Sequence, residues 1–420
     1  MSPAVKAPRG TIDALPPEST VRRRVEAAFL GMAARYGYEP VETPIFEHTE
    51  LFVRSVGEST DIVQKEMYTF ADKGERSLTL RPEGTASVVR ALIEHGATAG
   101  PLPVKVFYSG PMFRHERPQS GRQRQFHQVG VEALGSDDPA LDAEVILLGC
   151  EAFRAAGLKG TTLLLNSMGD AACRPIYREA LVEFLEGASD ELCKDCRSRI
   201  AANPLRVFDC KQPGCHRAVA GAPLLREHMC GDCREHYAKV GEYLAEMGEQ
   251  WEEAPRLVRG LDYYTRTTFE WQSPVLGAQN AVGGGGRYDG LSAELGGPEL
   301  PGIGWAVGID RTLLALEREG SLPAPDPAVR LYVVAVSAAA REAAFRLTQQ
   351  VRRAGVATDM AFGKRSLKGN LRHADRLGAV FVALLGDREL ERGVVTLRSM
   401  ESGAQEEVPL EAVPARVVED

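Results

Sequence analysis

VKVFYSGPMFRHE (residues 104–116) and RQFHQVGVEALG (residues 124–135) decide how this chain is built. Each run alternates apolar and polar residues, and an arginine-rich loop separates them, so they read as two antiparallel strands. In the second run Val129, Val131 and Ala133 share one face, while Phe126, Gln128, Gly130 and Glu132 share the other. With the apolar set turned to a core, Gln128 and Glu132 project together on the opposite side. Upstream, RSLTLRPEGTASVVRALIEHG (76–96) reads as a strand, a sharp turn at Pro82–Glu83–Gly84, and a helix that Thr85 caps. Strands that come in hairpins and runs, without regular strand–helix alternation, point to an α+β domain with a mostly antiparallel sheet.

Working outward, an amphipathic helix is expected from about Thr20 to Gly37. From about Asn166 to Trp251 the chain turns charged, helical and cysteine-rich, which reads as an inserted helical subdomain. Strand-like sequence returns at Leu257 and continues through AVGGGGRYDGL (281–291) and GIGWAVGIDRTLLALE (302–317). The glycine run is no dinucleotide fingerprint, because it lacks the G-x-G-x-x-G turn feeding a helix and the acidic residue at its usual distance. REGSLPAPDPA (318–328) is a proline-rich linker, and strand and helix alternate beyond it. The expected organisation is a catalytic-type domain over 1–325, interrupted by a helical insertion over 170–251, then an α/β domain over 326–420.

The 420 residues are 44% hydrophobic and 26% charged, a globular composition. No apolar signal region opens the chain, and no apolar run approaches membrane-spanning length. A cytoplasmic protein without membrane attachment is expected. A net charge of −8 argues against a DNA-coating role and confines any nucleic-acid contact to local basic patches. Two such patches occur: Arg114, Arg117, Arg122 and Arg124 in the loop between the opening strands, and Lys364, Arg365, Lys368, Arg372 and Arg376 near the C-terminus.

Six of the eight cysteines fall between Cys193 and Cys233. Cys193/Cys196 and Cys230/Cys233 have zinc-knuckle spacing, with Cys210, Cys215 and His216 nearby. The cysteines read either as a structural zinc site or as small, half-buried residues in a reducing compartment.

Arginines that stay charged and bind phosphate in a fork, carboxylates fit for an ammonium, and glycine-lined strands all appear on what reads as one sheet. A site joining a carboxylate to a nucleotide α-phosphate needs those parts and little acid–base chemistry.

The motifs resemble those of class II aminoacyl-tRNA synthetases, and specifically the histidyl-tRNA synthetase family. YGYEPVETPIFEHTELF (36–52), with Pro44, resembles the first class II motif, FRHERPQSGRQRQFHQVGVE (113–132) the second, and GIGWAVGIDR (302–311) the third. RGLDYYTRTTFE (259–270) resembles a signature of the histidine-specific members. RGTIDALPPE (9–18), RPEGT (81–85), GGGGRYDGL (283–291) and LLGDRELERGVVTLRSMESGAQEE (384–407) match the same family.

The resemblance implies ATP-dependent activation of L-histidine to histidyl-adenylate and transfer to the 3′ end of tRNA(His), with Mg²⁺ accompanying ATP. It also implies a homodimer, an anticodon-binding C-terminal domain and no DNA partner. Arg259 and Arg114 would be the catalytic cations at the α-phosphate. Arg114, Glu116, Arg122 and Arg311 would hold ATP. Glu83, Thr85 and Gln128 would hold the α-ammonium group, Glu132 and Tyr264 would bracket the imidazole, and Tyr263 and Tyr288 would complete the pocket. A catalytically inert, synthetase-like regulatory subunit of histidine biosynthesis is the alternative.

One expectation is purely geometric. Arg259 and Tyr264 have opposite parity, so both reach one site only where Gly260–Leu261–Asp262 breaks the strand.

Overall fold

The computed structural model describes residues 5–58, 60–277, 279–363 and 365–419, which fall into two compact units, Met1–Pro323 and Ala324–Asp420. The first is built on a sheet whose strands are, in chain order, β1 (Glu39–Pro40), β2 (Val104–Phe113), β3 (Gln125–Leu134), β4 (Thr162–Ser167), β5 (Glu252–Glu253), β6 (Thr265–Gln272), β7 (Ala281–Arg287) and β8 (Gly302–Gly308). Their spatial order is β1-β2-β3-β8-β7-β6-β4-β5. The six central strands are antiparallel throughout, and only the two-residue edge strands β1 and β5 pair in parallel.

The alternation of β3 divides two layers. Val129, Val131 and Ala133 enter the main core with Phe269, Trp271 and Trp305, under the helices Glu18–Arg35 and Pro139–Ala156. The opposite face is also covered, by a cluster that includes Val88, Tyr108, Tyr263, Tyr264, Tyr288 and Leu291. Glu132 therefore lies on no wet face and is wholly buried.

Two local readings change. The helix after the Pro82–Gly84 turn runs Thr85–Glu94, so Thr85 is its first helical residue, not its cap. Glu83 caps it instead, its carboxylate accepting the N–H groups of Thr85 (2.6 Å) and Ala86 (3.0 Å). This frees the Thr85 hydroxyl for another partner. Strand structure also resumes later than Leu257: after the short β5, residues 254–264 are irregular, with a bend at Gly260 and a turn at Asp262–Tyr263. No unbroken strand joins Val258 to Phe269, as parity requires. A bulge follows, since Arg287 pairs with Thr265 while its neighbour Gly286 pairs with Thr268, and Arg266 there has φ +42°.

Between Gly169 and Trp251 the described residues form helices and short turns, with their own core of cysteines, Tyr177, Leu181 and Leu185. The last of these helices, Gly231–Glu246, belongs to two cores. Cys233 lies in the insertion core, while Val240 and Leu244 lie in the main one.

The second unit has a five-stranded mixed sheet in which Thr358–Met360, Leu331–Ala335 and Phe381–Leu385 are parallel. Val394–Ser399 and Gln405–Pro409 continue it antiparallel. Arg365, Lys368, Arg372 and Arg376 are exposed on and before the Leu367–Arg376 helix, which Ser366 caps, whereas Lys364 lies outside the described residues.

Candidate active site

Cross-strand register assembles the site. One row across the sheet is Thr268–Gly286–Gly304–Glu132–Val106, and the next is Glu270–Gly284–Ala306–Gly130–Tyr108. The glycines form the floor of a trough, and large side chains lie over them. A Cβ on Gly304 would stand 1.9 Å from Glu132 Oε2, and one on Gly284 would stand 2.9 Å from Arg259 Cζ. Both approaches require a residue without a side chain.

At one end, Glu132 accepts hydrogen bonds from Thr85 Oγ1 (2.6 Å) and Tyr288 Oη (2.5 Å). Burial pushes its carboxyl up to about 8, against the downward pull of those two hydroxyls. Glu83 is also raised by burial, although two helix N–H groups and the nearby Arg114 favour its charged form. Gln128 Oε1 is buried and accepts no hydrogen bond among the described residues. The Tyr263 ring lies 4.8 Å from Tyr264 and 5.8 Å from Tyr288, so the three phenols make one wall. Glu83, Thr85, Glu132, Tyr263, Tyr264 and Tyr288 thus gather at one end of the trough, whereas Gln128 lies two rows along, opposite Gly308 and Gly110 and past the Gly284 row that Arg259 overlies.

Cations collect toward the other end, each steered by an oxygen. Arg259 donates to Glu270 in a very short ion pair. Arg114 donates to Pro82 O (2.9 Å) and lies over the Phe126 ring. Arg122 pairs with Glu116 (2.7 Å). Arg311 donates to Ala281 O (2.7 Å) and Gln279 O. Burial and the neighbouring Arg122 cation hold Arg311 below the ordinary guanidinium range, with Glu116 and Glu270 opposing. Cations placed this close together favour an anion between them.

Two residues of this site were not among those singled out by sequence. Glu270, present only as the last residue of the 259–270 stretch, faces the trough and pairs with Arg259. The signal was present, because in TTFEWQ the apolar Phe269 and Trp271 enter the core and leave Thr268 and Glu270 on the other face. Tyr108 is buried over the glycine floor, where a Cβ on Gly130 would stand 2.3 Å from its ring. Only the register of the hairpin, Tyr108 opposite Gly130, reveals it.

The cysteines assemble differently from the expected set. Cys193, Cys196, Cys230 and Cys233 do not share one site. Cys193 and Cys196 group with Cys210 and Cys215, whereas Cys230 and Cys233 group with Cys173 and Asp170. His216 is exposed and belongs to neither group.

The family model for histidyl-tRNA synthetase matches residues 10–312, and that for the anticodon binding domain matches residues 330–420. A histidine–tRNA ligase of Moorella thermoacetica is 52% identical over 406 residues, 97% of this chain and 96% of that protein. Another, from Rhodococcus erythropolis, is 52% identical over 407 residues, 97% of this chain and 96% of that protein. The crystal structure of apo S. aureus histidyl-tRNA synthetase has a TM-score of 0.83 at 40% identity, covering 99% of this chain and all of that one.

Proposed function

The chain belongs to the histidyl-tRNA synthetase family, and from that premise we propose how its trough divides the work of histidine activation and transfer. The chain is an ATP-dependent, AMP-forming ligase that makes histidyl-adenylate and pyrophosphate, then esterifies the 3′ end of tRNA(His). Glu83 and Gln128 receive the α-ammonium group, for which buried acceptors are the natural partners. Glu132 accepts an imidazole N–H and Tyr264 bonds the second nitrogen. Thr85 and Tyr288 hold the Glu132 carboxyl in place, and Tyr263 packs beside Tyr264.

Arg259 and Arg114 lie against the α-phosphate as the histidine carboxylate attacks. They neutralise the charge that builds on the pentavalent phosphorus, and no acid–base residue is required. Arg311 and Arg122 hold the rest of ATP, with Glu116 at its side. Glu116 and Glu270 would supply the hard oxygen donors taken by a Mg²⁺ ion accompanying the polyphosphate. The ion neutralises phosphate charge when bound. Glu270 itself keeps the Arg259 guanidinium aimed along the floor before ATP enters.

The exposed basic face around Arg365–Arg376 and the arginine loop are the contacts for tRNA. The resemblance of residues 36–52 to the first class II motif supports a homodimer with a contact near Pro44, beside the exposed Ile45, Phe46 and Phe70. No helix among the described residues is long and apolar enough to cross a membrane.

One observation supports this reading above the rest: a single glycine floor carries buried acceptors at one end and a cluster of arginines at the other. The chain keeps Arg114, Arg259 and Arg311, which favours the enzyme over an inert regulatory subunit. Histidine-dependent ATP–pyrophosphate exchange tests it. Exchange is expected with wild type and lost with Arg259→Ala; its absence from the wild-type protein would favour the inert subunit.

A further inference from the structure

The insertion carries two compact groups of metal-ligand atoms outside the active site. In one, the sulfurs of Cys193, Cys196, Cys210 and Cys215 all lie within 4.8 Å of one another; in the other, so do the ligand atoms of Asp170, Cys173, Cys230 and Cys233. Cys193 Sγ is 3.9 Å from Cys210 Sγ, and Cys173 Sγ is 3.8 Å from Cys233 Sγ. A tetrahedral ion bonded to sulfur at about 2.3 Å separates its ligands by about 3.8 Å. A disulfide needs about 2.05 Å, and all eight cysteines are free thiols.

The backbone is arranged for thiolates. Cys196 N and Cys233 N donate to Cys193 Sγ and Cys230 Sγ, both at 3.4 Å. Cys193 N donates to Cys215 Sγ (3.2 Å), Gln212 N to Cys210 Sγ (3.5 Å) and Asp170 N to Cys173 Sγ (3.3 Å). Cys193 and Cys230 are the N-caps of the Lys194–Ala202 and Gly231–Glu246 helices, where the helix dipole favours negative charge. A bland hydrophobic core would not point five N–H groups at sulfur.

We propose that the insertion is a two-zinc module, with one ion held by Cys193, Cys196, Cys210 and Cys215 and a second by Asp170, Cys173, Cys230 and Cys233. Each thiol releases its proton on binding, and four anionic ligands surround each dication. The second site ties the point where the chain leaves β4 to the start of the helix that leads it back. The first ties the start of the Lys194–Ala202 helix to Cys210 and to Cys215 in the Pro213–Ala218 helix.

Both sites also brace the active-site bend. Beyond the first site, Asn203 Nδ2 donates to Asp262 Oδ1 (2.9 Å), and Arg206 Nη2 donates to Gly260 O (2.6 Å). Beside the second, Arg174 Nη1 donates to Tyr264 O (3.0 Å), while Arg266 N donates to Gly169 O (2.7 Å). Asp170 itself lies 3.8 Å from Arg266, the bulged residue with positive φ. Zinc thereby positions Gly260–Tyr264 without touching substrate.

Elemental analysis of the full-length chain, purified without chelators, is expected to find about two zinc ions per chain. One ion or none, or iron in their place, overturns the assignment. Cys193→Ser with Cys210→Ser should remove one ion and Cys230→Ser with Cys233→Ser the other; a pair that leaves the content at two refutes its site. Should those variants fail to fold, zinc-edge X-ray absorption on the wild-type protein still decides, because seven sulfurs and one oxygen must be shared between two ions. Alkylation of the denatured wild-type chain that reveals disulfides would equally sink it. Chelator stripping should raise the KM for histidine roughly tenfold and be reversed by added Zn²⁺; an unchanged KM would refute the bracing.

Discussion

The two ends of the trough solve the same problem, holding ionisable groups inside a protein, in opposite ways. At the Glu132 end, carboxylates are buried and satisfied by hydroxyls and backbone N–H groups, so the ligand meets partners already fixed in place. At the Arg259 end, guanidiniums are half-buried and held by carboxylates and carbonyl oxygens, partners that a polyphosphate displaces or shares. Rigid neutral donors suit a small ring whose identity must be checked, since an unpaired buried group is costly. Mobile, always-charged forks suit a substrate whose charge changes during reaction.

That contrast is open to direct attack. Arg259→Ala should lower kcat for histidine-dependent exchange by about 10²–10³-fold, the usual cost of removing one donor to developing charge; steady-state exchange kinetics would show it, and a pure KM effect would break the division of labour. Glu132→Gln should raise the KM for histidine by ~10–100-fold with little change in that for ATP, because Thr85 and Tyr288 then meet an amide in place of a double acceptor.

The same variant tests the raised carboxyl. Its folded-state value lies above the ordinary carboxylate range, so the proton is held more tightly in the folded chain. Its contribution to stability is complete at low pH and lost as pH climbs to about 8. The Tm advantage of wild type over Glu132→Gln should therefore shrink between about pH 5 and about pH 8; a gap that widens would mean the carboxyl is not raised. Glu270→Gln should raise the KM for ATP about tenfold or less, since the pair it breaks remains partly solvated. Arg122→Ala, on the most exposed of these pairs, should change the same constant about threefold, and a larger loss would make the loop cation a principal one.

Much of this was readable in the chain. The alternation of Val129, Val131 and Ala133 against Gln128 and Glu132 foretold which side chains enter the core, and β3 obeys it. The parity of Arg259 and Tyr264 demanded a break, and the chain bends at Gly260 and turns at Asp262–Tyr263. Thr85 misled because a threonine before a helix looks like a cap, yet Glu83 reaches the same N–H groups and leaves the hydroxyl to Glu132. The cysteine grouping misled because two CxxC spacings suggest one knuckle pair, whereas Cys173 and Asp170 come from the distant end of the insertion.

The sequence by itself determined the faces of the strands, the need for a bend, and the supply of arginines, carboxylates and thiols. Those follow from backbone period and side-chain chemistry, which are local. Only the tertiary structure decided that Glu132 lies on Gly304, that Glu270 aims Arg259, and which cysteines meet. These depend on cross-strand register and chain return over long separations, which no local pattern encodes.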